Sequence, residues 1–280
     1  MVFYLLPEKT IGQRILRAKK TLSEVRVPFE TPRGEDLRRR VTSVLSVVYL
    51  IFNEGYTATS GEGWMRAALC DEALRLGRLL VQLLPGESEA HALLALMELN
   101  GARNAARRGS DGEAVLLADQ NRSRWDEVQI HRGMTSLASA QRLGGGAEYY
   151  ALQAAITACH MRARTAEETD WDRIVLLYDA LMQIAPSSIV ALNRAVAVGM
   201  ADGAEAGLAA VDAIDLDAKG SGLDRYHLFD SVRGDLLMKL NRFREAREAI
   251  QSAVALTQNQ RERELLMERL ATIEERCLEE

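Results

Sequence analysis

Five prolines in 280 residues, Pro7, Pro28, Pro32, Pro85 and Pro186, leave long stretches in which nothing interrupts a helical hydrogen-bond ladder. Those stretches are rich in Ala and Leu, and aromatic residues make up only 5% of the chain. Ala and Leu are strong helix formers, whereas β-branched and aromatic residues favour strands. Hydrophobic residues reach 48%, enough to bury a substantial core in a chain of this length. The expected fold class is therefore all-α.

Apolar spacing predicts a heavily buried helix from Glu35, through Leu37, Val41, Val44, Leu45, Val48, Ile51 and Phe52, that ends near Asn53-Glu54-Gly55-Tyr56, where Gly55 suits a C-terminal stop. Ten more helices are predicted, at about 64–84, 87–108, 126–142, 147–163, 171–185, 188–201, 204–215, 223–240, 243–256 and 259–278. Short connections imply antiparallel neighbours.

Some of these segments resemble one another. Arg242 to Leu256 fits the second helix of a tetratricopeptide repeat, and Gly234 falls where the first helix carries its close-packing glycine. Asp170 to Pro186 fits the same second helix, with Trp171 and Tyr178 at its aromatic positions. Asp71 to Pro85 is a fainter copy. Prolines and helix ends recur at multiples of about 34 residues, the period of that repeat. The expected architecture is antiparallel helix pairs stacked as a tetratricopeptide-like α-solenoid.

Charge is distributed unevenly. Residues 1–40 hold ten Lys/Arg against five Asp/Glu, a net +5, while the whole chain nets −5. A basic head on an acidic body places any nucleic-acid contact at the head. Within it, Ile11, Ile15, Ala18 and Leu22 form an apolar stripe beside a polar one of Thr10, Gln13, Arg14 and Arg17, flanked by Lys20. Arg grips guanine or phosphate, Gln pairs with adenine, and Lys and Thr reach the backbone. The plainer reading of such a stripe is a solvated helix face.

The run from Leu6 to Lys19, LPEKTIGQRILRAK, resembles the recognition helix of region 4 in extracytoplasmic-function sigma factors, matching at Thr10, Arg14, Arg17, Ala18 and Lys19. The string Val48 to Tyr56, VYLIFNEGY, resembles a stretch that follows region 4 in the group with long helical C-terminal extensions. The resemblance implies an N-terminal recognition-type helix whose DNA contacts fall on Lys9, Thr10, Gln13, Arg14, Arg17 and Lys20. It also implies RNA polymerase and promoter DNA as partners, a protein or peptide ligand on the helical extension, and cytoplasmic transcription initiation. The first helix of the helix-turn-helix and the whole of region 2 would precede Met1, so the chain is expected to be the C-terminal part of a longer factor. Four segments are expected: 1–24 as the remnant of region 4, 25–34 as a linker rich in Pro and Gly, 35–165 as a helical domain, and 166–280 as repeats. The alternative is a stand-alone tetratricopeptide-type scaffold that never touches DNA.

Sequence offers no enzyme signature. Gly144–Gly146 lacks the Lys-Ser/Thr of a phosphate loop. Cys70, Cys159 and Cys277 are too far apart for a metal pair, no cofactor is implied, and a reducing cytosol suits them. Cys159 and His160 are expected to be a buried structural pair. The short apolar start ends at Pro7 and has no basic flank, and no apolar run is long enough to cross a membrane. The densest polar segment is Asp119-Gln120-Asn121-Arg122-Ser123-Arg124-Trp125-Asp126. As a site it would bind a peptide or anion through Asp119, Arg122, Arg124, Trp125 and Asp126. As plain structure, Asp126 or Ser123 would cap the next helix, Arg–Asp pairs would form, and Trp125 would pack inward.

Overall fold

A computed structural model describes residues 32–57, 65–109, 115–214, 226–257 and 259–279, together with Gln13, Leu16, Arg17, Lys19, Lys20, Thr21 and Glu24. The described chain is all helical, apart from turns and two short 3₁₀ segments, Leu117–Asp119 and Arg122–Arg124. In chain order the helices are α1 (Gly34–Tyr56), α2 (Ala67–Leu83), α3 (Ser88–Gly101), α4 (Glu127–Arg142), α5 (Tyr149–Arg162), α6 (Trp171–Ile184), α7 (Ser188–Ala201), α8 (Ala204–Asp212), α9 (His227–Lys239), α10 (Phe243–Leu256) and α11 (Gln260–Glu279).

The chain divides into two compact units, residues 1–44 and 45–280, with the division inside α1. In the first unit the seven described positions between 13 and 24 are helical and exposed. Lys9, Thr10, Arg14, the apolar stripe of Ile11, Ile15, Ala18 and Leu22, and the linker as far as Thr31 lie outside the described residues.

In the second unit each helix packs on its sequence neighbour, from α2 on α3 through to α10 on α11, and α3 also packs on α5. This is the stacking of antiparallel pairs, with α3 at the middle of the first half. Local sequence sets the boundaries. The side chains of Asp126, Asp170 and Ser187 accept hydrogen bonds from the backbone N–H groups of Gln129 (2.9 Å), Arg173 (3.0 Å) and Val190 (3.2 Å), capping α4, α6 and α7. Each cap contributes about 1 kcal/mol. Pro85 and Pro186 follow the ends of α2 and α6, where a missing N–H costs nothing.

Successive helices share their core. Leu152, Ile156 and Cys159 of α5, Ile174 and Leu181 of α6, and Val190 and Ala197 of α7 form one buried cluster, edged by Trp171 and Tyr178. Gly234 performs the close packing expected of it: a Cβ there would stand 2.7 Å from Ile250 Cδ1 and 2.8 Å from its Cγ1. The α9–α10 hairpin turns through Asn241 at φ 57°, a left-handed conformation that Asn tolerates.

Helix α1 ends at Tyr56, within the expected stretch from Asn53 to Tyr56. Gly55 also admits α2, because a Cβ there would lie 2.6 Å from Cys70 N and 2.9 Å from both Cys70 Sγ and Leu69 Cβ. A later helix end departs from the sequence expectation. Helix α3 ends at Gly101, not near 108. The carbonyl of Ala102 is taken by the Asp126 N–H (3.0 Å), and residues 102–107 fold into turns instead. Tertiary pairing has overridden helical propensity there.

At the other end of α3, Glu89 accepts from Tyr150 N with both oxygens (3.3 and 3.2 Å), tying the start of α3 to that of α5. Burial pushes its carboxyl up to about 7 against the pull of that N–H, and the nearby Glu148 adds to the rise. All three cysteines are free thiols. Cys70 and Cys159 are buried and Cys277 is half-buried.

Candidate functional site

The turns that follow α3 bring together side chains that sequence keeps far apart. Tyr56 closes α1, Arg103 and Arg107 follow α3, Arg122 and Trp125 precede α4, and His160 lies in the last turn of α5. Arg107 is buried at 8% exposure. Its Nη1 donates to Tyr56 O (2.6 Å), its Nη2 to Thr57 Oγ1 (3.3 Å), and its Cζ lies 3.4 Å from the centre of the Tyr56 ring. Burial draws its guanidinium down to about 10, so it stays charged at neutral pH. Arg103 Nη2 donates to Tyr56 Oη (2.5 Å) and Asn100 Oδ1 (2.9 Å), while its Nε is buried without a partner.

Arg122 reaches the C-terminal end of α5. Its Nη1 donates to the carbonyls of His160 (2.7 Å) and Ala163 (2.8 Å), and its Cζ stands 4.6 Å from the Trp125 ring centre. A cation at the carbonyl end of a helix is favourable. Burial is the largest cause drawing Arg122 down, followed by the charge of Arg103. Burial, then Arg103, then Arg122, hold His160 down at about 4, which keeps it neutral at physiological pH. Its ring meets Trp171 edge to face at 5.2 Å.

The segment from 119 to 126 serves the fold at most of its positions. Asp126 caps α4 and Trp125 is buried at 6% exposure, its indole N–H without a partner. Arg124 Nη1 donates to Arg108 O (3.2 Å), and Asn121 Oδ1 accepts from Ser123. Asp119 is exposed. The segment forms no internal Arg–Asp pair, because Arg122 and Arg124 spend their donors on backbone carbonyls. Of the residues sequence singled out here, Arg122 and Trp125 join the arginine cluster. Tyr56, Arg103 and Arg107 were not singled out as site residues, since the helix expected at 87–108 ran through both arginines. The sequence signal was Gly101 followed by a dense run of arginines.

At the N-terminal head, Gln13, Arg17 and Lys20 are spaced i, i+4, i+7 on one exposed helix face, and Lys20 Nζ lies 3.7 Å from Glu24.

The cluster presents positive charge beside aromatic faces, with no base or nucleophile poised for chemistry. His160 is a half-buried neutral ring, and burial pushes the Cys70 thiol up to about 11. Among the described residues no three His, Cys, Asp or Glu side chains group as metal ligands.

Residues 40–141 match DUF6596, a family of unknown function. That match spans most of α1 and all of α2, α3 and the segment to α4, and so includes Tyr56, Arg103, Arg107, Arg122 and Trp125. An uncharacterised protein of Rhizobium meliloti (strain 1021) is 43% identical over 256 residues, covering 91% of this chain. The chain spans only 59% of that relative's length.

Proposed function

We propose that this chain is the C-terminal part of a sigma factor of extracytoplasmic-function type, in which α1 to α11 form a protein-interaction and regulatory extension. The observation that carries this reading is the run from Leu6 to Lys19, with its Thr, Gln and Arg spacing in a head of net charge +5. The shared exposed face of Gln13, Arg17 and Lys20 supports it. So does the greater length of the Rhizobium meliloti relative, which leaves room for the polymerase-binding region the reading requires. On this reading the promoter contacts are Lys9, Thr10, Gln13, Arg14, Arg17 and Lys20. RNA polymerase and promoter DNA are the partners, the place of action is the cytoplasm, and the extension controls when the sigma regions engage. Among the described residues no helix is long and apolar enough to cross a membrane.

The test is to isolate the native protein from its own cells with an antibody to the helical body, weigh it, and probe the preparation for polymerase. A mass well above 31.0 kDa, with polymerase core subunits in the preparation and promoter binding that weakens steeply with salt, is the expected result. A native protein of 31.0 kDa that brings down no polymerase defeats this reading. It leaves the second one, a scaffold for a protein segment, which rests on the tetratricopeptide-like packing of Gly234 against Ile250.

A further inference from the structure

We propose that the turn after α3 and the 3₁₀ segment before α4 form a binding site for a carboxylate, held between the guanidinium groups of Arg103 and Arg122. The proposal goes beyond the transcription reading and does not depend on it.

Arg103 meets only neutral groups, the Tyr56 hydroxyl and the Asn100 amide oxygen, and its Nε–H is buried without a partner. Arg122 meets only two backbone carbonyls and the face of Trp125, whose own indole N–H is likewise buried and unpartnered. Among the described residues neither arginine has a carboxylate at ion-pair distance. Glu167 and Glu168, the acids that act on Arg122, do so through space from exposed positions. The Asp126 N–H on the Ala102 carbonyl (3.0 Å) joins the turn that carries Arg103 to the segment that carries Arg122, and the charges of both arginines act on His160.

Part-buried like charges and orphaned N–H groups are costly, and a protein leaves few of them without a reason. A bound oxyanion removes both costs together. Arg122, engaged only through Nη1, keeps its Nε/Nη2 edge for two parallel hydrogen bonds to a carboxylate, and Arg103, whose Nη2 is spent on Tyr56 and Asn100, adds its Nε–H. Tyr56 and Trp125 flank the forks, which fixes their planes and thins the water around them.

Geometry selects among oxyanions. Part of the Arg122 charge is balanced by the carbonyl end of α5, where the helix dipole supplies about half a negative charge. With the Arg107 charge acting on Arg103 the cluster keeps more than one positive charge, so the planar geometry of the Arg122 edge, and not total charge, favours a carboxylate. The carboxylate comes either as a free organic acid or as the Asp or Glu side chain of a bound protein segment.

Thermal unfolding of the whole chain distinguishes these, at constant ionic strength. The probes are sodium acetate and a blocked peptide with a single Glu, with its Gln counterpart, sodium chloride and inorganic phosphate as controls. A saturable rise of roughly 3 °C is expected with acetate or with the Glu peptide, at concentrations about tenfold above half-saturation. A response to acetate identifies a free acid, and a response to the Glu peptide alone identifies a protein side chain. The rise should vanish in Arg103→Gln, shrink in Arg103→Lys, and persist in Arg247→Gln on the exposed side of α10. The Arg103 Nε–H resonance should shift on titration, a readout in the unaltered protein that needs no variant to fold. The proposal is overturned if neither probe gives a saturable rise, if chloride or phosphate gives an equal one, or if Arg103→Gln responds as the parent does.

Discussion

The two halves of the helical body handle charged groups differently. From α1 to α5 two are taken inside, Glu98 and Arg107, along with the neutral Gln120, Gln153 and Thr157. From α6 onward the buried polar residues Ser231, Thr257 and Asn259 are all neutral, and no charged side chain is buried among the described residues. Ion pairs there sit at part-exposed positions between helices, as in Asp179–Arg194 (2.6 Å), Asp212–Arg233 (2.9 Å) and Asp235–Arg269 (2.9 Å). Helix α3 is buried around most of its circumference, whereas α10 buries only Ala246, Ala249, Ile250 and Ala253 along one stripe. A helix enclosed by neighbours on several sides must find internal partners for any polar residue it carries. A helix in a stack needs only one apolar stripe and can leave its charges at the rim.

The sharpest way to break this contrast is at Glu98. Its Oε1 meets Arg78 at 2.8 Å, while its Oε2 is buried without a partner. Arg78→Met should strand a buried carboxylate and cost about 3–5 kcal/mol in chemical denaturation. Glu98→Met, which leaves Arg78 able to turn to water, should cost far less. The corresponding pair in the second half, Asp179–Arg194, should cost under about 1 kcal/mol from either side. Equal costs at the two sites would erase the distinction.

Glycines sharpen it next. Gly55→Ala drives a Cβ into the backbone of α2, which cannot retreat cheaply, and should cost about 3 kcal/mol. Gly234→Ala meets the Ile250 side chain at similar distances, with the nearest backbone atom, Ala246 O, at 3.5 Å, and should cost about 1 kcal/mol. Thermal unfolding of both variants checks the order.

Glu89 gives a pH signature, a loss of stability that is absent at low pH and fullest above neutrality. Its folded-state carboxyl stands at about 7 against an ordinary 4.5. Below pH 4.5 both states are protonated and its contribution to stability is complete. As pH rises from 4.5 through 7 the unfolded chain ionises first and that contribution is lost, up to roughly 3 kcal/mol. Glu89→Gln should flatten the stability–pH curve over that window. An unchanged curve would mean that the α3–α5 tie does not hold its proton.

What could be read from sequence follows the same division. The end of α6 before Pro186, the span of α10 and the close packing at Gly234 were all visible, because stacked helices obey local rules of period, cap and proline. Trp125 packing inward and Asp126 capping were also visible as one of two readings. The meeting of Tyr56 with Arg103 and Arg107 was not. It joins residues 47 and 51 positions apart, and it depends on α3 stopping at Gly101. Local pattern around Ala105 and Ala106 favours continuation, and against it stand Gly101 and the distant Asp126 N–H on Ala102.

The accessibility of the thiols has a practical consequence. Burial pushes the Cys70 thiol to about 11 and raises that of Cys159 as well, so both resist alkylation while the chain is folded. Cys277, half-buried near the end of α11, is left as the reactive position. A maleimide dye added to the native protein would therefore mark one end of the helical stack without mutagenesis, and a second dye on an engineered cysteine near α1 would turn the stack into a molecular ruler.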